Sequence, residues 1–232
     1  MIPKTIHYCW FGRGEKPKLA QKCIDSWHKY CPEYQIVEWN EDNFSINQNG
    51  YTKMCHEQKK YAFLSDYVRL YVVANYGGLY FDTDVELVKA PDALLKHEAF
   101  FGFETNEYVA SGLGFGSVAH GNAIESMLAE YEPLLEGDKG VIGCPILNTQ
   151  ALVKHGLIRD GSKQIVAGAT IYPILVFNPY DSATGHLRKT SETVSIHWYA
   201  AAWQSKKTRL RTKIMRPLHR IFGVDAFKRF RK

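Results

Sequence analysis

The residues best placed to do chemistry sit in one short stretch, "NYGGLYFDTDVEL", where two glycines and an apolar run lead into Asp82, Asp84 and Glu86. Asp82 and Asp84 are one residue apart, on what reads as a tight turn at the end of a buried strand. Two such carboxylates offer hard oxygen ligands to Mg2+ or Mn2+, ions that keep positions open for water and phosphate oxygens. Without a cation or hydrogen bonds, two close aspartates repel and raise each other's pKa.

By itself a D-x-D is common, and two other settings use it. An EF-hand loop starting at Asp82 requires Gly at its sixth position and Glu at its twelfth, where this chain has Leu87 and Ala93. "LYFDTDV" also fits a haloacid-dehalogenase-like phosphatase, with Asp82 as nucleophile and Asp84 as acid. That chemistry needs a later acidic pair for magnesium, and "EGDKG" around Asp138 supplies no second aspartate.

Upstream, "YAFLSDYVRLYVVANYGG" is nearly all apolar or aromatic apart from Asp66 and Arg69. Their spacing of three puts both on one helical face. A partly buried ion pair is one reading. Such a pair adds little stability by itself, so a pair held beside a ligand is the alternative. Arginine suits phosphate or sugar oxygens, and aspartate suits sugar or ribose hydroxyls. Taken alone, Trp10 and His197 read first as structural residues. Glu104 and Asn106, after "AFFGFE", either line a sugar or acceptor site or form a turn. His7 reads as structural and Glu86 as a solvated strand residue.

The elements that must position these residues alternate. "TIHYCWF" reads as a strand, residues 17–30 as a helix and "YQIVEW" as a strand. A polar loop over 40–50 precedes a helical region over 52–75, closed by "YGG". "LYF" and "VELVK" are short strands on either side of the D-T-D turn. "AFFGFE" and "GLGFGSV" read as strands, "GNAIESMLAEYEPLL" and "PILNTQALVKHG" as helices, and "TIYPILVFNP" and "TVSIHWYA" as late β segments. This order predicts an α/β sandwich with a mostly parallel central sheet. In such sheets ligands gather at the carboxyl ends of strands, where Asp82 and Asp84 fall.

At 232 residues, with 45% hydrophobic and 13% aromatic content, the chain reads as one globular domain with a large core. Its cysteines, Cys9, Cys23, Cys31, Cys55 and Cys144, are odd in number and show no C-x-x-C spacing, which predicts buried free thiols. "MIPKTIHYCWF" reads as neither signal peptide nor anchor, and no window has the ~20 apolar residues that span a bilayer. A cytoplasmic location is expected. The net charge of +5 conceals an asymmetry: residues 204–232 hold eleven Lys or Arg against Asp225, a net of +10, so the rest carries −5. In that tail Leu210, Ile214, Leu218, Ile221 and Phe222 recur at helical spacing among cations, and Phe227 and Phe230 extend the pattern. This is the pattern of an interfacial helix on an anionic membrane; packing onto the domain and nucleic-acid binding are the weaker readings. Pro217 requires a kink or a fresh start.

Three blocks, "IPKTIHYCWFG", "SDYVRLYVVANYGGLYFDTD" and "SIHWYAAAW", together resemble the signature of glycosyltransferase family 32. This family contains DXD sugar transferases of bacterial capsule and lipopolysaccharide synthesis and fungal mannosyltransferases. The middle block also resembles the clostridial glucosylating toxins. The likeness runs in order through residues 2–203 and leaves the basic tail outside. It implies a GT-A fold, with a Rossmann-like sheet flanked by helices over 1–203; the basic helical tail over 204–232 is read from its own charge and periodicity. It also implies a retaining hexosyltransferase that uses Mn2+ or Mg2+ and a nucleotide-sugar donor, UDP-hexose ahead of GDP-mannose. The acceptor would be a saccharide in surface polysaccharide synthesis, and the basic amphipathic tail adds the expectation that it is lipid-linked at the cytoplasmic face of the inner membrane.

Carried onto this chain, the resemblance makes Asp84 the direct metal ligand, with Asp82 reaching ribose, sugar and metal through water. Asp66 and Arg69 would hold the transferred sugar and the diphosphate side. Trp10 would stack on the base while the backbone at Tyr8 reads its edge, and Tyr80 would line the nucleotide pocket. His197 would reach the metal or diphosphate and Trp203 would close the site. Two departures stand out: Ala202 precedes Trp203 where many members have serine, and "GCP" at 143–145 replaces T-G-P. The alternative within the same fold is an inactive module that binds nucleotide sugar or glycan; the intact Asp66, Arg69, Asp82 and Asp84 argue against it.

Overall fold

The computed structural model describes residues 1–200 and 206–223. The chain begins β1 (Thr5–Cys9), α1 (Lys18–Tyr30), β2 (Gln35–Trp39), α2 (Gly50–Glu57), α3 (Tyr61–Tyr76), β3 (Gly78–Tyr80) and β4 (Val85–Leu87). It continues through β5 (Ala99–Phe103), β6 (Val109–Ala110), β7 (Phe115–Ser117), α4 (Asn122–Ala129), α5 (Cys144–Lys154), β8 (Gln164–Val166), β9 (Ala169–Tyr172), α6 (Ile174–Phe177), β10 (Ser195–His197) and α7 (Lys206–Phe222).

The main sheet has the order β2-β1-β3-β7-β5-β9-β8, with β6 on β5. Strands β1, β2, β3, β5 and β9 point one way, because β7 pairs antiparallel with both β3 and β5. Their carboxyl ends therefore share one edge. The mostly parallel sheet is thus present, interleaved with β6, β7 and β8 running the other way. One apolar cluster fills the face covered by α3, α4 and α5; a second, around Ile6, Trp27 and Phe81, fills the face under α1. All five cysteines are buried free thiols.

The helical region over 52–75 is two helices. An Asn49–Thr52 capping box starts α2, and Lys59 at φ +54° breaks the path before α3. The break lets α3 rotate independently, so that nine of its residues, Asp66 and Arg69 among them, are buried. Gly77 (φ +65°) ends α3, and Gly78 (φ +114°) opens β3 against β1. A Cβ on Gly78 would lie 2.8 Å from the Thr5 carbonyl, so glycine is required for this approach.

Two late segments also differ from expectation. "ILVF" forms the short helix α6 behind Pro173 and does not continue the strand. β8 and β9 form a hairpin whose turn residues, Ala167 and Gly168, both have positive φ.

The D-T-D turn is gripped from both sides. β3 enters it from the main sheet, while β4 pairs with β10 in a separate two-stranded ribbon. Beneath β4, the Trp27 indole N–H donates to the Val85 carbonyl at 2.8 Å, and Ser26 Oγ accepts from the Leu87 N–H at 2.9 Å. Trp27 is fully buried and packs edge-on to Tyr8 and against Phe81. α7 docks through its second half: Arg216 Nε donates to the Ser182 carbonyl and Arg220 to those of Thr184 and Gly185. The helix runs through Pro217 with no fresh start. Ile214, Ile221 and Phe222 are exposed, while the side chain of Leu210 and residues Phe227 and Phe230 lie outside the described set.

Trp27→Ala is expected to cost ~3–5 kcal/mol, the range for removing a buried tryptophan, read as a lower urea midpoint. An unchanged midpoint would show that α1 does not support the turn.

Candidate active site

Asp82 leaves β3 directly after Phe81, and the Val85 N–H closes the turn on the Asp82 carbonyl at 2.9 Å. The β4–β10 pairing sets His197 opposite Val85, which brings His197 Nε2 to 3.2 Å from Asp84 Oδ1. Asp82, Asp84 and His197 each offer one ligand atom, all within 4.8 Å of one another. Asp84 is held from the chain that follows β10: the Ala200 N–H donates to its Oδ2 at 2.7 Å, and the Trp198 N–H to its carbonyl at 2.9 Å.

Behind this corner lies Arg69, with only 4% of its side chain exposed. One guanidinium nitrogen reaches Asp66 Oδ1 at 2.8 Å and Asp82 Oδ1 at 3.1 Å. Its Nε donates to the Ser65 carbonyl, and its plane lies over the Tyr80 ring. Tyr80 is itself buried, and its hydroxyl donates to Asp82 Oδ1 at 3.0 Å. Asp66 Oδ2 accepts the Cys144 N–H at the start of α5. The backbone at Gly112 presses on the same pair: a Cβ there would meet Asp82 Oδ2 at 2.8 Å and Arg69 at 3.0 Å.

The electrostatics fit a cation. Burial raises the Asp82 carboxyl to about 6; Arg69 opposes this and the neighbouring Asp84 adds to it. Burial works against the Asp84 carboxylate too, yet His197 and the Ala200 N–H bring it below its ordinary value. Burial disfavours charge on His197, but Asp84, Asp82 and Glu104 outweigh it and pull a positive charge onto the ring. The same three groups could hold a divalent cation in place of that proton. Neighbouring ligands of an octahedral ion bound at ~2.1 Å are about 3 Å apart, which matches the Asp84–His197 spacing. Two carboxylates and an imidazole suit Mn2+ at least as well as Mg2+.

The other sequence-predicted residues fall in distinct places. Trp10 is half-buried at the end of β1, with its indole N–H on the Gly14 carbonyl at 2.7 Å and Lys16 over its ring. The side chain of Tyr8 is buried, its hydroxyl 2.6 Å from Glu38, so only its backbone can read a ligand edge. Tyr80 is 1% exposed and supports Asp82 from below, which replaces the expected pocket wall. Arg69, its guanidinium shared between two carboxylates, reaches the site through Asp82. Glu104 is drawn into the site, accepting from the Tyr199 hydroxyl at 3.3 Å. Asn106 lies apart, in a groove of about 500 Å³ with Gly161, Pro173 and Glu192. Trp203 lies outside the described residues. Glu86 is no solvated bystander: it accepts from Lys22 at 2.6 Å and from the Trp198 indole at 2.8 Å. Tyr199, Asn178 and Gly112 carried no signal in the sequence, since each matters through a contact distant along the chain.

Residues 17–101 match the sequence model of a family described as "Glycosyltransferase sugar-binding region containing DXD motif". The chain is 32% identical over 106 residues to inositol phosphoceramide mannosyltransferase 3 of Schizosaccharomyces pombe, covering 43% of this chain and 29% of that protein. It is 29% identical over 108 residues to mannosyl phosphorylinositol ceramide synthase CSH1 of Saccharomyces cerevisiae, covering 43% and 27%. The matched stretch thus spans less than a third of the length of these curated relatives. The fold is similar to that of the PaToxG glycosyltransferase, with a TM-score of 0.53 at 21% identity, over 66% of this chain and 69% of that one. Residues 17–101 are thus similar to a glycosyltransferase sugar-binding region that contains a DXD motif, and the chain is built on a fold of the GT-A type.

Proposed function

We propose that the protein is a metal-dependent, retaining hexosyltransferase that moves a hexose from a nucleotide sugar to a saccharide acceptor. The observation that carries this reading is the meeting of His197 with Asp82 and Asp84, two residues of the stretch that matches a DXD-containing sugar-binding region. A divalent cation held there supplies the Lewis acidity that offsets charge on a departing nucleoside diphosphate. Trp10 offers a ring face for the base, with the Tyr8 backbone along its edge. Asp66 borders the hexose, and Arg69 beside it holds Asp82 in position. His197, neutral when it ligates the cation, would help to hold that charge where the leaving group develops its negative charge. In a front-face displacement the departing phosphate itself takes the acceptor proton, so the chain needs no separate base.

The family resemblance supports a role in surface polysaccharide synthesis, and UDP-hexose is the preferred donor. Both fungal relatives are named for mannosyl transfer, so GDP-mannose belongs in any donor panel. α7 supports attachment to an anionic membrane, where a lipid-linked acceptor would be met. No helix among the described residues is long and apolar enough to cross a membrane. Arg216 and Arg220 face the domain, while Ile214 and Ile221, 60% and 73% exposed, are available to lipid within a strongly basic segment.

A panel of UDP-hexoses and GDP-mannose with Mn2+ should reveal slow donor hydrolysis. Asp84→Ala should lower it by about 100-fold or more with thermal unfolding unchanged; near-wild-type turnover with the metal chelated would overturn the reading. Gly112→Ala, which pushes a methyl against Asp82 and Arg69, should lower turnover by about tenfold; full activity would show that the corner tolerates displacement. Replacing Ile214 and Ile221 by serine should reduce cosedimentation with phosphatidylglycerol vesicles, as should deletion of 206–232. Equal binding by all forms would remove the membrane assignment.

A further inference from the structure

The segment after β10 contains a residue that the mechanism above leaves unused. Tyr199 has φ +50°, a left-handed backbone that bulky side chains seldom adopt. Three contacts hold it there. Its ring lies against His197, with centroids 4.1 Å apart. Its hydroxyl accepts from Asn178 Nδ2 at 2.6 Å and donates to Glu104 Oε1 at 3.3 Å. The N–H of the next residue, Ala200, binds Asp84. Asn178 is buried, and its Nδ2 also donates to the Glu104 carbonyl at 3.2 Å. Main chain and side chain of Glu104 are therefore both tied to the Tyr199–Asn178 pair. A strained residue fixed by several independent contacts is the kind of feature that clusters at functional sites.

The sheet order places Glu104 relative to the rest of the site. Trp10 follows β1, Asp82 follows β3 and Glu104 follows β5, three strands that point the same way and end at one edge. Glu104 thus stands across the metal corner from Trp10. With the base on Trp10 and the diphosphate at Asp84, the incoming hydroxyl arrives on the Glu104 side. Glu104 Oε1 belongs to Tyr199, and Oε2 makes no hydrogen bond among the described residues.

We propose that Glu104 Oε2 accepts a hydrogen bond from the incoming hydroxyl and aims its oxygen at the transferred sugar, and that Tyr199, with Asn178, is the positioning residue that sets this carboxylate. The inference rests on the transferase reading. Glu104 orients the hydroxyl and does not keep its proton, which leaves with the departing phosphate. Water is the smallest such hydroxyl, so donor hydrolysis probes the same contact without a known acceptor.

The test uses the full chain, Mn2+ and whichever panel donor the wild type hydrolyses. Tyr199→Phe keeps the ring on His197 and removes only the hydroxyl. It should lower kcat by about tenfold while donor KM, and Mn2+ affinity read by electron paramagnetic resonance, stay within about twofold. Glu104→Gln should lower kcat at least as far with the same unchanged affinities. Because Tyr199 acts through Glu104, the double variant should lose no more than Glu104→Gln alone. Multiplying losses, a weakened Mn2+ affinity in Tyr199→Phe, or an unchanged kcat in Glu104→Gln would overturn the inference. A wild type that hydrolyses no donor would overturn the transferase reading itself; an active wild type with unaffected variants would overturn only this assignment.

Discussion

Arg69 is the interaction on which the rest of the site depends. Its guanidinium is buried and shared between Asp66 on its own helix and Asp82 on the next strand. Removing one partner of such a buried cluster leaves an uncompensated charge, and this typically costs 3–5 kcal/mol. The arrangement therefore locks the register between α3 and the D-T-D turn. The elements around it accommodate that lock. Gly77 and Gly78 turn the chain sharply enough for β3 to return beside α3, and Gly112 lets the backbone approach the pair. The Cys144 N–H at the start of α5 satisfies the far oxygen of Asp66.

Arg69 neutralises only part of the charge it gathers. Asp66, Asp82, Asp84 and Glu104 are drawn to one sheet edge against Arg69 and His197. The excess is tolerable in water but costly where these groups are buried. The chain concentrates it at Asp82 and Asp84, the turn gripped by α1 below and by the segment after β10 above. The result is a rigid, electronegative corner with an imidazole at its rim. On the proposed reading, a divalent cation and the diphosphate it attracts would complete that balance.

Much of this was legible in the sequence where a local rule applied. The alternation of strands and helices, the glycine stop after Tyr76 and the polar pair on one face of an apolar helix all follow from short-range patterns. The triad of Asp82, Asp84 and His197 needed the family resemblance, because 113 residues separate Asp84 from His197. Local patterns do not announce what tertiary contacts decide. Lys59 breaks a helical pattern without a glycine or proline to announce it, and Ala167–Gly168 makes a hairpin turn without the usual Asn-Gly signal. "ILVF" has strand composition but follows Pro173 into a helical turn. Burial also makes Tyr80 and Arg69 supports for Asp82, a placement that no local pattern announces. Tyr199 was invisible because its importance lies in a left-handed backbone and in partners 21 and 95 residues away.

The most direct test of the account is whether nucleoside diphosphate binding depends on a divalent cation held at this corner. Isothermal titration of the full chain with UDP and GDP, in Mn2+ and again after chelation, measures that dependence without any acceptor. The account predicts that one nucleotide binds in Mn2+ and loses at least about tenfold in affinity when the metal is removed. His197→Ala should show the same loss with Mn2+ present. Equal binding with and without metal, or in His197→Ala, would contradict the claim that Asp82, Asp84 and His197 form a metal-dependent donor site.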